Sequence, residues 1–332
     1  MNTIKQQWED FQSKSVFIAL ILLLLLIAVF LGDTNFFTIT NISNIFLKAA
    51  RNGGLLALGM TFVILTGEID LSLGSLMALS GVVAGLVGQY NQVLGLTAGV
   101  LTGVISGAIL GFIVTKMKLS SWVASLAMLF GLRGLILVLS RESVSLDGRI
   151  LEFARTQVLA GVIPSMPSGI SLLIILFIII TLVCIFIAKY TSFGLQLYSV
   201  GGNEEGAEMM GVNIDKVKIK AFMMSGLLSA ISGVLLASSS GSATLSAGNM
   251  YETIAIAMCA IGGIQLSGGV GRFAGTFFGI LIYFMLQTIF TYIPSVTTHW
   301  QTLIMGVLVL ISVTMQSETL TLMNLKKLWG DR

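Results

Sequence analysis

Long apolar runs alternate with short polar breaks along most of the chain. A helix needs about 20 apolar residues to cross a bilayer, and runs approaching that length predict ten membrane-spanning helices. The predicted spans are 15–32, 51–66, 73–90, 94–116, 121–140, 169–189, 218–240, 252–266, 272–293 and 299–316. We therefore expect an all-α integral membrane protein with a single transmembrane domain over residues 1–332.

Composition supports this interpretation. The chain is 55% hydrophobic and 10% charged, whereas soluble domains carry about 25% charged residues. Glycines recur every fourth residue in the fourth predicted span, from Gly95 to Gly111, a spacing typical of closely packed membrane helices. Cys184 and Cys259 lie inside apolar runs, which favours small buried side chains over a disulfide.

The distribution of basic residues predicts the orientation. An N-terminus in the cytoplasm places twelve of the 18 Lys and Arg residues inside and five outside, with Arg133 within a span. Cytoplasmic segments are enriched in Lys and Arg, so both tails, 1–14 and 317–332, are predicted to be cytoplasmic. The polar stretch 190–217 then also lies in the cytoplasm.

That stretch carries the start and stop signals of a short helix. Gly202 and Asn203 precede the acids Glu204 and Glu205, and Gly211 follows a segment whose apolar members include Ala207. Acids favour the first turn of a helix and glycine its end. We hypothesise that an energy-supplying partner binds this helix of about two turns and moves the protein through it. The alternative is an ordinary connecting loop.

A short pattern occurs twice, as GEIDLSLG over 67–74 and as GGIQLSGG over 262–269. Asp70 or Ser72 would suit the N-cap of the helix after the first copy, and Ser267 the N-cap after the second. Irregular backbone at membrane depth is tolerated beside a water-filled path, so these residues are candidates for a pathway or gate. A chance match between Gly-rich turns is the competing interpretation.

Few charges fall within the spans. Arg133 and Glu252 are further pathway candidates because buried ionisable groups in membranes are usually functional; the alternative is that both reach an interface. Motifs for nucleotide binding and hydrolysis, such as GxxxxGK[ST], are absent from the sequence, and His299 is its one histidine. We therefore expect no catalytic residues, no metal and no cofactor in this chain. On the outer side, 35–48 is predicted to lie along the membrane, and 141–167 to offer a docking surface.

Three motifs give the chain a resemblance to permeases of the ABC sugar importers, the family of the ribose, arabinose, xylose, galactofuranose and autoinducer-2 systems. Residues 67–75 resemble GGIDLSxGS, with Glu68 in place of the second glycine. Residues 201–212 resemble GGNxxAAxxxGI, with Gly206 in place of the first alanine, and 262–271 resemble GGxxLSGGxG. Finer features are most similar to the galactofuranose branch.

The resemblance implies a permease that works as a dimer, with itself or with a related chain, in the bacterial inner membrane. It also implies two ATP-binding subunits on the cytoplasmic face, a periplasmic sugar-binding protein, and a coupling helix at 201–211 that docks on the ATPase. Two alternatives remain: a secondary sugar transporter driven by an ion gradient, and a branched-chain amino-acid permease. The identity of the sugar stays open.

Overall fold

A computed structural model describes residues 35–146, 156–158, 169–293 and several helical residues between 299 and 314. The predicted span 15–32 and the tails 1–14 and 317–332 lie outside the described residues. After a 3₁₀ turn at Asn35–Phe37, the helices are α1 (Ile39–Arg51), α2 (Gly54–Ile64), α3 (Leu73–Gly88), α4 (Gln92–Lys116), α5 (Ser121–Leu139), α6 (Leu172–Tyr190), α7 (Ser192–Gly202), α8 (Glu204–Met209), α9 (Ile214–Ser240), α10 (Tyr251–Ile261) and α11 (Phe273–Thr291).

The prediction of an all-α chain needs a small correction. The described residues include four two-residue strands: β1 (Val144–Ser145), β2 (Gln157–Val158), β3 (Ile170–Ser171) and β4 (Ser242–Ala243). They form two antiparallel pairs, β1 with β4 and β2 with β3. The first pair fastens the end of α9 to the segment after α5.

Five helices among the described residues are long and apolar enough to cross a membrane, namely α4, α5, α6, α9 and α11. Their bounds agree with five predicted spans to within four residues. The shorter helices α2, α3 and α10 are also apolar. The predicted span 51–66 is wrong at its start, because Gly53 adopts φ +108° and separates α1 from α2. The predicted span 252–266 is helical only to Ile261.

The segment predicted to lie along the membrane is largely the helix α1. The hydroxyl of Thr38 accepts a hydrogen bond from the backbone amide of Asn41 and caps its start. Ile45, Ala49 and Ala50 are buried, and α1 packs against α6 and α11. One face of α1 therefore belongs to the bundle, while its position relative to the bilayer stays a prediction.

Helix α9 forms the centre of the bundle and packs against α4, α3 and α2. The glycines of α4 allow this contact. A side chain on Gly103 would overlap the carbonyl of Gly226 on α9, and one on Gly107 would overlap that of Phe222. The glycine ladder thus brings two helix backbones together, as its spacing predicts.

The connection between α2 and α3 runs deep into the bundle. The hydroxyl of Ser229 donates a 2.6 Å hydrogen bond to the carbonyl of Leu73, the first residue of α3. Ser229 lies near the middle of α9, which spans 27 residues and is therefore about 40 Å long. Helix α3 thus begins beside the midpoint of α9, the longest of the described helices, and the connection over 67–72, which includes turns, covers the remaining depth.

Candidate functional site

Helix α8, in the predicted cytoplasmic stretch, is capped at both ends. At its start, the side-chain oxygen of Asn203 accepts a 2.9 Å hydrogen bond from the amide of Gly206. At its end, Gly211 has φ +82°, and the amides of Gly211 and Val212 donate to the carbonyls of Glu208 and Ala207. This paired bonding is a Schellman termination. The helix predicted from local signals is confirmed, with six residues.

Sequence reasoning missed α7, which precedes α8. Thr191 caps it by accepting a hydrogen bond from the amide of Gly194, and Leu197 and Val200 are buried against the bundle. These two side chains, three residues apart, were a weak signal of a helical face. The stretch is therefore two consecutive helices meeting at Gly202 and Asn203, rather than one helix within a loop.

The surface of α8 is asymmetric. Ala207 is buried and anchors the helix, while Met209 and Met210 are 90% and 74% exposed at its end. Glu204 and Glu205 are exposed in its first turn. Flexible methionines adapt well to a partner's surface, so this helix presents an apolar tip beside an acidic edge. We call residues 192–211 the coupling segment.

An ion-pair network connects the coupling segment to the bundle. Lys218, on the first turns of α9, donates to Glu204 at 2.8 Å and to Glu68 at 2.7 Å. The side chains of Lys218 and Glu68 are 11% and 17% exposed, and that of Glu204 is 52% exposed. Glu68 is one of the two departures from the family motif, and the structure shows that its carboxylate has a specific partner.

A glycine junction, comprising Gly67, Gly201, Gly202, Gly268 and Gly269, lies beside this network. Here the two copies of the repeated pattern meet each other and the coupling segment. The amide of Gly269 donates to the carbonyl of Leu65 at 3.0 Å. A side chain on Gly201 would overlap that same carbonyl, and one on Gly268 would come within 2.7 Å of the Cα of Gly67. Three motifs distant in sequence are thus in direct backbone contact.

The structure brings the pathway candidates Asp70 and Ser72 together. One carboxylate oxygen of Asp70 accepts from the amide and the hydroxyl of Ser72, at 2.9 and 2.6 Å. The other accepts from the hydroxyl of Ser225 on α9 at 3.2 Å. Ser72 is the N-cap residue of α3, but its side chain makes no capping bond. Asp70 instead fixes the start of α3 to the middle of α9.

The remaining candidates are Ser267, Arg133 and Glu252. The predicted N-cap role of Ser267 is wrong, because α11 begins at Phe273 with Arg272 at the N-cap position; Ser267 lies beside the glycine junction, with its carbonyl facing Gly67. The Arg133 guanidinium donates to the carbonyl of Leu245 at 3.0 Å. Glu252 opens α10 and is 8% exposed.

Comparison with known proteins places this architecture in a family. The model of the family described as "Branched-chain amino acid transport system / permease component" matches residues 41–313. The chain belongs to this permease family. The ribose import permease protein of Bacillus subtilis is 36% identical over 91% of this chain and 92% of its own length. The ribose import permease of Escherichia coli K12 is 35% identical, over 90% and 93%. The xylose transport system permease protein of the same strain is 29% identical, over 92% and 91%.

The permease is therefore a multi-pass protein of the inner membrane. No solved structure matches it significantly. In the part of the chain that the structure describes, no three His, Cys, Asp or Glu side chains are grouped as metal ligands would be. The galactofuranose likeness stays a prediction, and so do the roles assigned to individual site residues.

Proposed function

We propose that this chain is the membrane-spanning subunit of an ATP-driven ABC importer, and that it carries a sugar delivered by a periplasmic binding protein. It would pair with an identical or related permease and with two ATP-binding subunits that bind and hydrolyse the nucleotide. The curated relatives described above are named for ribose and xylose import, which supports a sugar as cargo. The bias of basic residues supports cytoplasmic termini.

The geometry of the coupling segment carries this proposal. Helix α8 is exposed on one side, capped at both ends, and held to the bundle by Ala207 and by the pairing of Glu204 with Lys218. Helix α7, directly before it, meets the end of α2 at the glycine junction. A helix held this way moves as a unit with the backbone it contacts. A subunit that grips Met209 and Met210 would therefore displace the inner ends of α2 and α9 directly. Such a rigid-body movement would open the solute path to one side of the membrane and then to the other.

The double variant Glu204→Lys plus Glu205→Lys tests the proposal in the complete complex. We expect ATP hydrolysis to become uncoupled from solute uptake while the complex still assembles in the membrane. Because Glu204 also pairs with Lys218, the single variant Glu205→Lys tests docking alone. Tyr90→Lys is the control, since Tyr90 is 91% exposed after α3 and lies outside both the coupling segment and the predicted docking surface 141–167. Uptake by Glu205→Lys equal to that of the control would contradict a docking role for this acid.

A branched-chain amino acid is a second candidate cargo, because the description of the family model names that class. Proteoliposomes containing the permease, its ATPase and its binding protein can be offered labelled ribose, xylose and leucine separately. We expect ATP-dependent uptake of a sugar and none of leucine. Uptake of leucine and of neither sugar would contradict a sugar as cargo and support amino-acid import. Uptake of any solute without the ATPase would instead favour the ion-coupled alternative.

A further inference from the structure

We infer that residues 241–250, together with the cavity beside them, line the route by which the solute crosses the membrane. We call these residues the re-entrant segment. The inference rests on the proposed function, because it names the part of the permease that the cargo touches. The cavity, the depth of the segment and the chemistry of its side chains support it, and all three concern residues outside the coupling segment.

Contacts with α3 give the depth of the re-entrant segment. A side chain on Gly81 would touch Ala243, and one on Gly74 would overlap the carbonyl of Gly248. These glycines lie seven residues apart on α3, so the segment descends about 10 Å between them. Gly74 follows Leu73, which lies beside the midpoint of α9. The chain thus leaves α9 at Ser240 and returns to about half its depth.

After β4, between these two levels, the segment has irregular backbone and exposed polar side chains. Its backbone forms turns, with amides such as that of Ala247 donating to the carbonyl of Thr244. Thr244, Ser246 and Asn249 are exposed. Irregular backbone with polar groups does not face lipid inside a membrane, and occurs where it is buried in protein or lines water. The exposed polar side chains of this segment therefore contact water rather than lipid.

A cavity of about 260 Å³ lies between this segment, α3 and α9. It is smaller than the roughly 300–1,000 Å³ pockets that hold drug-sized ligands, and so suits a small solute. Its polar lining consists of Ser240, Ser242, Thr244, Ser246, Asn249 and Tyr251. Hydroxyl and amide groups both donate and accept hydrogen bonds, as sugar hydroxyls do.

Among the described residues that line this cavity, none has a charged side chain. The zwitterion of an amino acid would leave two charges without partners there, and unpaired buried charges are costly. The ring of Tyr251 adds an apolar surface for the carbon face of a sugar. The lining chemistry therefore favours a neutral polyhydroxylated solute of monosaccharide size.

Two charged residues lie beside the re-entrant segment. Arg133 on α5 donates to the carbonyl of Leu245 within it. Glu252, two residues after the segment, is buried with its carboxylate against Gly74. Both residues are pathway candidates from sequence, and these contacts suit them to positioning the segment, a role that stays a prediction.

Cysteine labelling in the complete ATPase-containing complex tests the inference. Thr244→Cys, Ser246→Cys and Asn249→Cys are treated separately with a charged, membrane-impermeant methanethiosulfonate reagent. The native Cys184 and Cys259 are buried and can be kept. Phe130→Cys is the apolar control, since Phe130 is 67% exposed in the middle of α5. Tyr90→Cys is the water-exposed control, since Tyr90 is 91% exposed after α3.

We expect the three test positions to be labelled about tenfold or more faster than Phe130→Cys, because they face water. We also expect their rates to change by about threefold or more between nucleotide-free and vanadate-trapped complex, as alternating access requires. Tyr90→Cys should be labelled at the same rate in both states. Labelling as slow as that of Phe130→Cys would show a surface covered by lipid or a second permease, and would overturn the inference. Fast labelling at the same rate in the nucleotide-free and the vanadate-trapped complex would also overturn the inference.

Solute uptake by the same complexes in proteoliposomes distinguishes failure of this inference from failure of the proposed function. If solute uptake needs ATP but the re-entrant positions behave like either control, the inference alone fails. If uptake proceeds without ATP, the proposed function fails whatever the labelling shows.

Discussion

Lys218 joins two acids that differ in burial, and their contributions to stability should differ accordingly. The Nζ to oxygen distances are nearly equal, 2.7 Å to Glu68 and 2.8 Å to Glu204. A buried hydrogen bond to a charged group contributes about 1.5–3 kcal/mol. An exposed ion pair contributes about 0.2–1 kcal/mol because water screens it. Since Glu68 is 17% exposed and Glu204 is 52% exposed, the larger value belongs to Glu68.

Double-mutant cycles measure these two values. Lys218→Met is combined with Glu68→Gln in one cycle and with Glu204→Gln in the other, and the free energy of unfolding is measured by denaturant titration in detergent. We expect a coupling energy of about 1.5–3 kcal/mol for Glu68 and below about 1 kcal/mol for Glu204. Lys116 and Asp215 supply a control cycle, since this 2.6 Å pair is 53% and 40% exposed.

A coupling energy in the Glu68 cycle no larger than that in the control cycle would contradict the larger value assigned to Glu68. A larger coupling energy for Glu204 would also contradict it, because the two distances are alike and the acids differ in burial. A large Glu68 term would show that the departure from the family motif at this position stabilises the inner end of the bundle.

Three further predictions concern the junction, the start of α3 and the tip of α8. Gly201→Ala should sharply reduce the yield of monodisperse protein on size-exclusion chromatography, because its side chain would overlap neighbouring backbone, whereas Gly202→Ala should be tolerated because nothing lies within 4 Å of the added carbon. Asp70→Asn should abolish transport in an uptake assay, because the carboxylate fixes the start of α3 to α9; normal uptake would show that transport does not need this carboxylate. Met209→Ser plus Met210→Ser should lower ATPase affinity in a pull-down without changing the free energy of unfolding, because both side chains are exposed; unchanged affinity would exclude them from the contact.

Local features of the coupling segment could be predicted from sequence because their causes are local. An N-cap such as Asn203 and a stop such as Gly211 act within one turn of the residues that they satisfy. Long apolar runs similarly specify spans without knowledge of their neighbours. Helix α7 was missed because its glycines and serines have modest helix propensity, and burial of Leu197 and Val200 supplies the rest.

The remaining features depend on contacts between distant parts of the chain. Glu68 and Lys218 are 150 residues apart, and neither position alone shows that the other is near. The re-entrant segment reads GSATLSAGNM over 241–250, which is the composition of an exposed turn. Its depth follows only from the position of Gly74 and Gly248 against each other. From the apolar runs alone it is simply the break between the predicted spans 218–240 and 252–266.

The connection over 67–72 joins the two sites. At one end Glu68 pairs with Lys218, which also holds Glu204 of the coupling segment. At the other end the chain enters α3, whose Gly74 packs against Gly248 of the re-entrant segment. The connection contains turns, but both of its ends are held, Glu68 by Lys218 and Asp70 by Ser72 and Ser225. We therefore expect a displacement of the coupling segment to reach the start of α3, and with it the wall of the cavity, through these contacts.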